Sequence, residues 1–208
     1  MHSIHKNYDE LFTLDAVFDA WKKFRRGKVG KADVMDFELH LEDNLFSLYD
    51  DLHDNTYKHS SYKHFQIFDN KKRDIYKAEV RDRVVHQILY DYLLSLYESK
   101  FISDSYASRI GKGQYKAIQS FRYFIKLASD NHKPRFVLKG DVRKYFENID
   151  QHILLDLIKK KLSVKKLPVY YMKCYQVMSF LDPVRVFLWA ILPARFLPIS
   201  ISMFWMCM

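Results

Sequence analysis

Asp141 closes an apolar run, Phe136-Val137-Leu138-Lys139-Gly140-Asp141, and Val142-Arg143-Lys144-Tyr145-Phe146-Glu147-Asn148-Ile149-Asp150 follows directly. An apolar strand would fix the backbone there and project the carboxylate beyond its end, where a hard cation such as Mg²⁺ takes oxygen ligands. By pattern alone, a strand-end aspartate is more often a turn residue or a helix cap. The second chemistry is charge. Basic residues gather at Arg25–Lys31, Lys71–Arg73 and Arg109–Lys112, and the formal net charge is +9 with a pI near 9.3. That balance favours a polyanionic partner, nucleic acid ahead of an anionic membrane surface, although a soluble protein with excess lysine gives the same number. Two cysteines, Cys174 and Cys207, are too few for a disulfide framework or a cysteine zinc site and fit a reducing cytoplasm. No N-terminal signal peptide is visible, because the first residues are polar and include Asp9 and Glu10.

The elements that must position these residues are mostly helical. Tyr8 to Phe24 reads as one helix, and a second runs from about Asp33 with Val34, Phe37, Leu41, Leu45, Leu48 and Leu52 at three- and four-residue spacing. Tyr62 to Phe68 alternates as a half-buried strand would. Asp69-Asn70-Lys71-Lys72 supplies a turn, and Arg73 to Lys77 returns as the hairpin partner. Val80 to Glu98 is an amphipathic helix with Val84, Val85, Ile88, Leu89, Tyr92, Leu93 and Leu96 on one side. Gly111-Lys112-Gly113 precedes another helical stretch, about Gln114 to Ala128. Arg135 to Val142 is a short strand candidate, and Ile149 to Lys161 is again helical. The class is α+β or mixed α/β, with helices predominating. An apolar content of 49% is enough for a real core.

Four sequence words, in order, resemble the reverse transcriptases of bacterial retroelements. Ile67-Phe68-Asp69-Asn70-Lys71-Lys72-Arg73-Asp74-Ile75 is similar to the fingers hairpin, with Asn70 where a proline is common. Arg81-Asp82-Arg83-Val84-Val85-His86-Gln87 resembles a block of group II intron and diversity-generating retroelement enzymes. Phe101 to Gly113 looks most like the diversity-generating type. The pattern hydrophobic-x-Asp-Val-x-x-x-Phe-x-x-Ile-Asp around Asp141 resembles the first palm motif. The resemblance implies that Asp141 is the first metal-binding carboxylate, with the Val142 carbonyl completing that edge. Phe146 matches the aromatic under the incoming sugar, and Lys71 and Arg73 match the cations that grip the triphosphate. Arg109 and Lys112 are candidates for template or primer backbone contacts, and Arg81 and Arg83 are expected to brace the fingers through Asp82 and neighbouring carbonyls. Gln151 stands where the family usually has histidine, so His152 reads as a helix-start residue.

The composition changes near residue 163. Of 25 acidic residues only Asp182 lies beyond it, and all five glycines precede it. The family's next words, a glycine-rich palm motif and Tyr-x-Asp-Asp, do not occur in this chain. Synonymous codons for Pro183 to Met208, read one nucleotide earlier, permit GKGFPLGNLTSQVFANIYLNVLDV, the expected palm block. Two positions have no codon freedom: Trp189-Ala190 forces glycine and Trp205-Met206 forces aspartate. A frameshift near Leu162 to Val164 is therefore the reading of the tail. A membrane anchor is the competing one, but the longest charge-free run, Phe196 to Met208, has 13 residues. A span needs ~20, and the central Arg195 would cost roughly 2.5–3.5 kcal/mol.

The expectation is the fingers and partial palm of a right-hand polymerase, helix-rich, with a fingers β-hairpin and a short palm sheet. Residues 1–60 are the N-terminal helical part of the fingers and 61–134 the rest of them. Residues 135–162 begin the palm, and 163–208 form an out-of-frame tail. The implied activity is RNA-directed DNA synthesis with two Mg²⁺ ions, an RNA template, a DNA primer and deoxynucleotide triphosphates. With Asp141 as its only matching carboxylate, the chain is expected to be inactive alone. A non-catalytic nucleic-acid-binding protein on the same scaffold is the alternative, and a small membrane-associated protein a weaker one.

Overall fold

A computed structural model describes residues 8–68, 72–107 and 109–129, with 137–138, 140, 150, 153 and 205–206 beyond them. It is helix-rich α+β, with an antiparallel two-stranded hairpin between the helices. The chain forms two compact units, one built on residues up to Leu96 and the other starting at Tyr97.

In the first unit the single helix expected over Tyr8–Phe24 is two, α1 (Tyr8–Leu11) and α2 (Leu14–Arg25). Thr13 is the reason: it is extended (φ −79°, ψ 158°), and its hydroxyl accepts the Ala16 N–H at 3.2 Å, satisfying a donor that a helix start leaves open. Val17, Ala20, Trp21 and Phe24 follow at helical spacing, and all are buried. The second expected helix is also divided, into α3 (Ala32–Leu39) and α4 (Leu41–His53), at His40 (φ −123°, ψ 44°). The Asn44 side-chain amide donates to the Phe37 carbonyl across the bend at 3.0 Å. The bend leaves Val34 of α3 and Leu45, Leu48 and Leu52 of α4 fully buried, with the Phe37 ring 5.1 Å from that of Trp21. Asn55, just past α4, takes φ 60°, the left-handed conformation that often ends a helix.

Strand β1 (Lys63–Phe68) pairs antiparallel with β2 (Lys72–Lys77), from Lys63 opposite Lys77 to Phe68 opposite Lys72. Helix α5 (Val80–Tyr97) follows, and Val84, Val85, Ile88, Leu89, Tyr92 and Leu93 are buried as its periodicity requires. Each such aliphatic side chain contributes about 1.5–3 kcal/mol on leaving water. In the second unit a 3₁₀ turn (Glu98–Lys100) leads through a loop to α6 (Gln114–Ser129). Val137–Leu138 (β3) pairs antiparallel with Trp205–Met206 (β4). The helix expected over Ile149–Lys161 lies almost entirely outside the described residues.

Candidate nucleic-acid interface

The hairpin is more exposed than its alternating sequence suggests. All six residues of β1 are exposed, which corrects the expectation of a half-buried strand. Alternation requires a second layer to bury one face, and an isolated hairpin has none of its own. Phe65 is 42% exposed, Ile67 44% and Phe68 74%. The register puts Phe65, Ile67, Arg73 and Ile75 at positions of one face and His64, Gln66, Phe68, Lys72, Asp74 and Tyr76 at positions of the other. On the second face the Gln66 amide donates to Asp74 Oδ1 at 2.8 Å, and His64 Nε2 lies 2.9 Å from the same oxygen. These two contacts hold the Asp74 carboxyl below its ordinary range. Lys72 Nζ stands 6.0 Å from the Phe68 ring centroid, so an exposed aromatic and an ammonium share the tip. Such a pair can stack on a base and meet a phosphate. Lys71 lies outside the described residues, and Arg73 occupies the ladder position opposite Ile67.

The hairpin's base is tied down electrostatically. Lys63 pairs with Glu79 at 2.9 Å, which raises the lysine's pKa, and Lys77 reaches Asp33 of α3 at 2.8 Å. Arg83 of α5 also binds Asp33. Burial alone would raise the Asp33 pKa, but Lys77 and Arg83 hold it below its ordinary value. Arg81 binds Asp51 of α4 and, with the Thr56 hydroxyl, keeps that carboxyl low. Both arginines therefore brace the unit, but their anions are Asp51 and Asp33, and Asp82 is not among them. Consecutive helical residues point about 100° apart, so neighbours in sequence do not face each other. Asp82 instead turns inward, fully buried, and accepts from Tyr57 Oη and the Ser60 N–H.

The basic break after α2 is divided in use. Arg25 forms an ion pair with Glu38, 2.6 Å apart but not aligned as a hydrogen bond. Lys28 donates to the Phe24 carbonyl at 2.6 Å and lies over the Phe24 ring, and burial and the nearby Arg83 lower its pKa. Arg26 and Lys31 are exposed.

In the second unit Arg109 organises its own loop. Its Nε and Nη2 donate to Glu98 Oε1 at 3.0 and 2.7 Å, and its Nη1 donates to the carbonyls of Ile102 and Ser105. Its side chain is 8% exposed, so its donors serve the loop. Lys112, half-buried, donates to the Ser103 carbonyl at 2.6 Å. Gly111 and Gly113, at φ 70° and 93°, make the left-handed turns that carry the chain into α6.

Asp141, Val142 and Phe146 lie outside the described residues. Among the described residues no group of three His, Cys, Asp or Glu side chains could hold a metal ion, so the described structure offers no donor set for a Mg²⁺ pair. No helix among them is long and apolar enough to cross a membrane. Sequence reasoning quoted Asp82 and His86 in one block but did not join them to Tyr57 and His59, because those lie more than twenty positions upstream, in the strap before the hairpin. No protein-family model matches the chain, and no curated protein matches it.

Proposed function

We propose that this chain is the fingers and the first part of the palm of a bacterial retroelement reverse transcriptase, an RNA-directed DNA polymerase. The observation that carries the reading is the order of four sequence words, from the hairpin around Lys71 to the palm pattern around Asp141. An exposed hairpin with Phe68 and Lys72 near its tip and a braced base supports it, because a gripping element must present its cations on a rigid root. In this reading Lys71 and Arg73 grip the triphosphate through charge-assisted contacts. Lys112 meets the nucleic-acid backbone, and Arg109 shapes the loop that presents it. Asp141 and the Val142 carbonyl would hold the metal edge, and Phe146 would lie under the incoming sugar.

Primer extension on an RNA template with Mg²⁺ present tests the proposal. The 208-residue chain should incorporate no nucleotide, since two ions need several carboxylates and only Asp141 stands at a matching place. A chain carrying the offset frame onward from about Leu162 should extend the primer, and Asp141→Asn in it should abolish extension. A restored chain that binds primer–template without ever extending it would make this a non-catalytic nucleic-acid-binding protein.

A further inference from the structure

The strap from Tyr57 to Tyr62 leads from α4 into the hairpin, and several of its groups converge on α5. Tyr57 Oη donates to Asp82 Oδ1 at 2.6 Å, and the Ser60 N–H donates to Asp82 Oδ2 at 3.2 Å. His59 and His86 meet with their Nε2 atoms 3.1 Å apart. The Ser60 carbonyl can only accept, so its 2.6 Å contact with His59 Nδ1 puts a proton on that nitrogen. A neutral His59 then carries its lone pair on Nε2, and His86 must donate to it from its own Nε2. The His59 side chain is 1% exposed and that of Asp82 0%, so water cannot replace these contacts without the strap lifting.

A head-to-head imidazole pair has a limit on charge. One added proton leaves a single Nε2–H···Nε2 bond intact, whichever ring it charges. With both rings charged, two N–H groups face each other and repel. Among the described residues Asp82 is the anion paired with His59, its Oδ2 3.7 Å from His59 Nδ1, and it already accepts from Tyr57 and Ser60. The Tyr62 ring lies 5.1 Å from that of His59, tilted by 30°, on the strap side. On α5, Arg83 adds positive charge, and Arg81 lies over the Tyr57 ring while pairing with Asp51 of α4. Burial first, then His59 and Arg83, hold the His86 pKa down to about 3.

We propose that the Tyr57–His86 cluster is an acid-released clamp, which holds the strap on α5 at neutral pH and lets it go in acid, because the lifted pair takes up more protons than the closed head-to-head pair can hold. Release frees the strap that leads into the hairpin, while the ion pairs of Lys63 with Glu79 and Lys77 with Asp33 still tie the hairpin's base. The device does not depend on what the chain binds.

Amide hydrogen exchange on the 208-residue chain reads the clamp at Ser60, whose N–H is itself a clamp bond, with Leu48 in the α4 core as the internal control. Between about pH 7.5 and about pH 5.5, after correction for intrinsic rates, Ser60 should lose protection about tenfold and should stay less protected than Leu48, which exchanges only on unfolding. The variant His86→Gln keeps an N–H for His59 Nε2 but takes up no proton, so it should stay protected at both values. Imidazole proton shifts of the unmodified chain follow the charging of each ring, which tests the idea even where the variant does not fold. The clamp is overturned by Ser60 protection equal to that of Leu48 at both pH values, or by an undiminished pH loss in folded His86→Gln. It is equally overturned by both rings charging while Ser60 remains protected.

Discussion

The helical part of the first unit and the hairpin that projects from it use the same residue types in opposite ways. In the helices Val17, Val34, Leu45, Leu48 and Leu52 are wholly buried, and arginines are paired: Arg81 with Asp51 and Arg83 with Asp33. In the hairpin Phe65, Ile67 and Phe68 stand in solvent, and Lys72 lies beside Phe68. A charge committed to a partner inside the fold supports structure, whereas a charge beside an exposed ring remains available to a ligand. In the loop of the second unit both cations have partners in the fold, the nearly buried Arg109 on Glu98 and two carbonyls and Lys112 on the Ser103 carbonyl.

The comparison can be broken at its strongest point first. Leu48→Ala should lower unfolding stability by about 2–5 kcal/mol in urea, because the side chain is fully buried and the cavity cannot be filled by solvent. A loss below about 1 kcal/mol would mean that α4 does not anchor the core. Arg83→Ala should cost less, about 1–2 kcal/mol, since Asp33 keeps Lys77 as a partner and the pair is partly solvated.

Acid should weaken the helical part in two steps whose signs follow from the groups. The folded pKa of His86, about 3, lies below its ordinary 6.5, so the unfolded chain takes up this proton first. Stability therefore falls as the pH drops below 6.5, by at most about 1.4 kcal/mol per pH unit from this group. Asp33 is held below 3.8, so its contribution is present above that value and is lost as the pH falls through its folded pKa. Urea midpoints between about pH 7.5 and about pH 3 check both, and a flat profile above pH 5 would remove the histidine step.

The smallest effect on stability belongs to the hairpin. Phe68→Ala, at 74% exposure, should change unfolding free energy by no more than about 0.5 kcal/mol. Lys72→Ala should be equally mild, yet it should reduce the slope of log affinity for single-stranded RNA against log salt by about 0.7. Equal loss of stability in Leu48→Ala and Phe68→Ala would erase the contrast between core and hairpin.

Much of this was legible in the residues, for local reasons. The apolar face of α5 repeats at three and four residues, so its helix and its buried side chains follow from periodicity alone. The β1–β2 hairpin follows from alternation on either side of a polar turn. The start of α2 had a readable signal in Thr13, a residue type whose hydroxyl caps helices. The bend at His40 had none, because the apolar spacing runs through it unbroken.

What the sequence determined by itself was the type of the main elements and the bounds of α5, α6 and the hairpin, since these depend on neighbours within a few residues. Which carboxylate meets which arginine was decided only by the tertiary structure. Asp82 lies between Arg81 and Arg83 in sequence, but the helical turn sends it into the core, while the arginines reach across to Asp51 and Asp33 on other helices. The exposure of β1 was decided in the same way, because alternation marks two different faces but cannot say whether a second layer exists to cover one. His59 and His86 are 27 positions apart, and only the packing of the strap on α5 brings their nitrogens within hydrogen-bond reach.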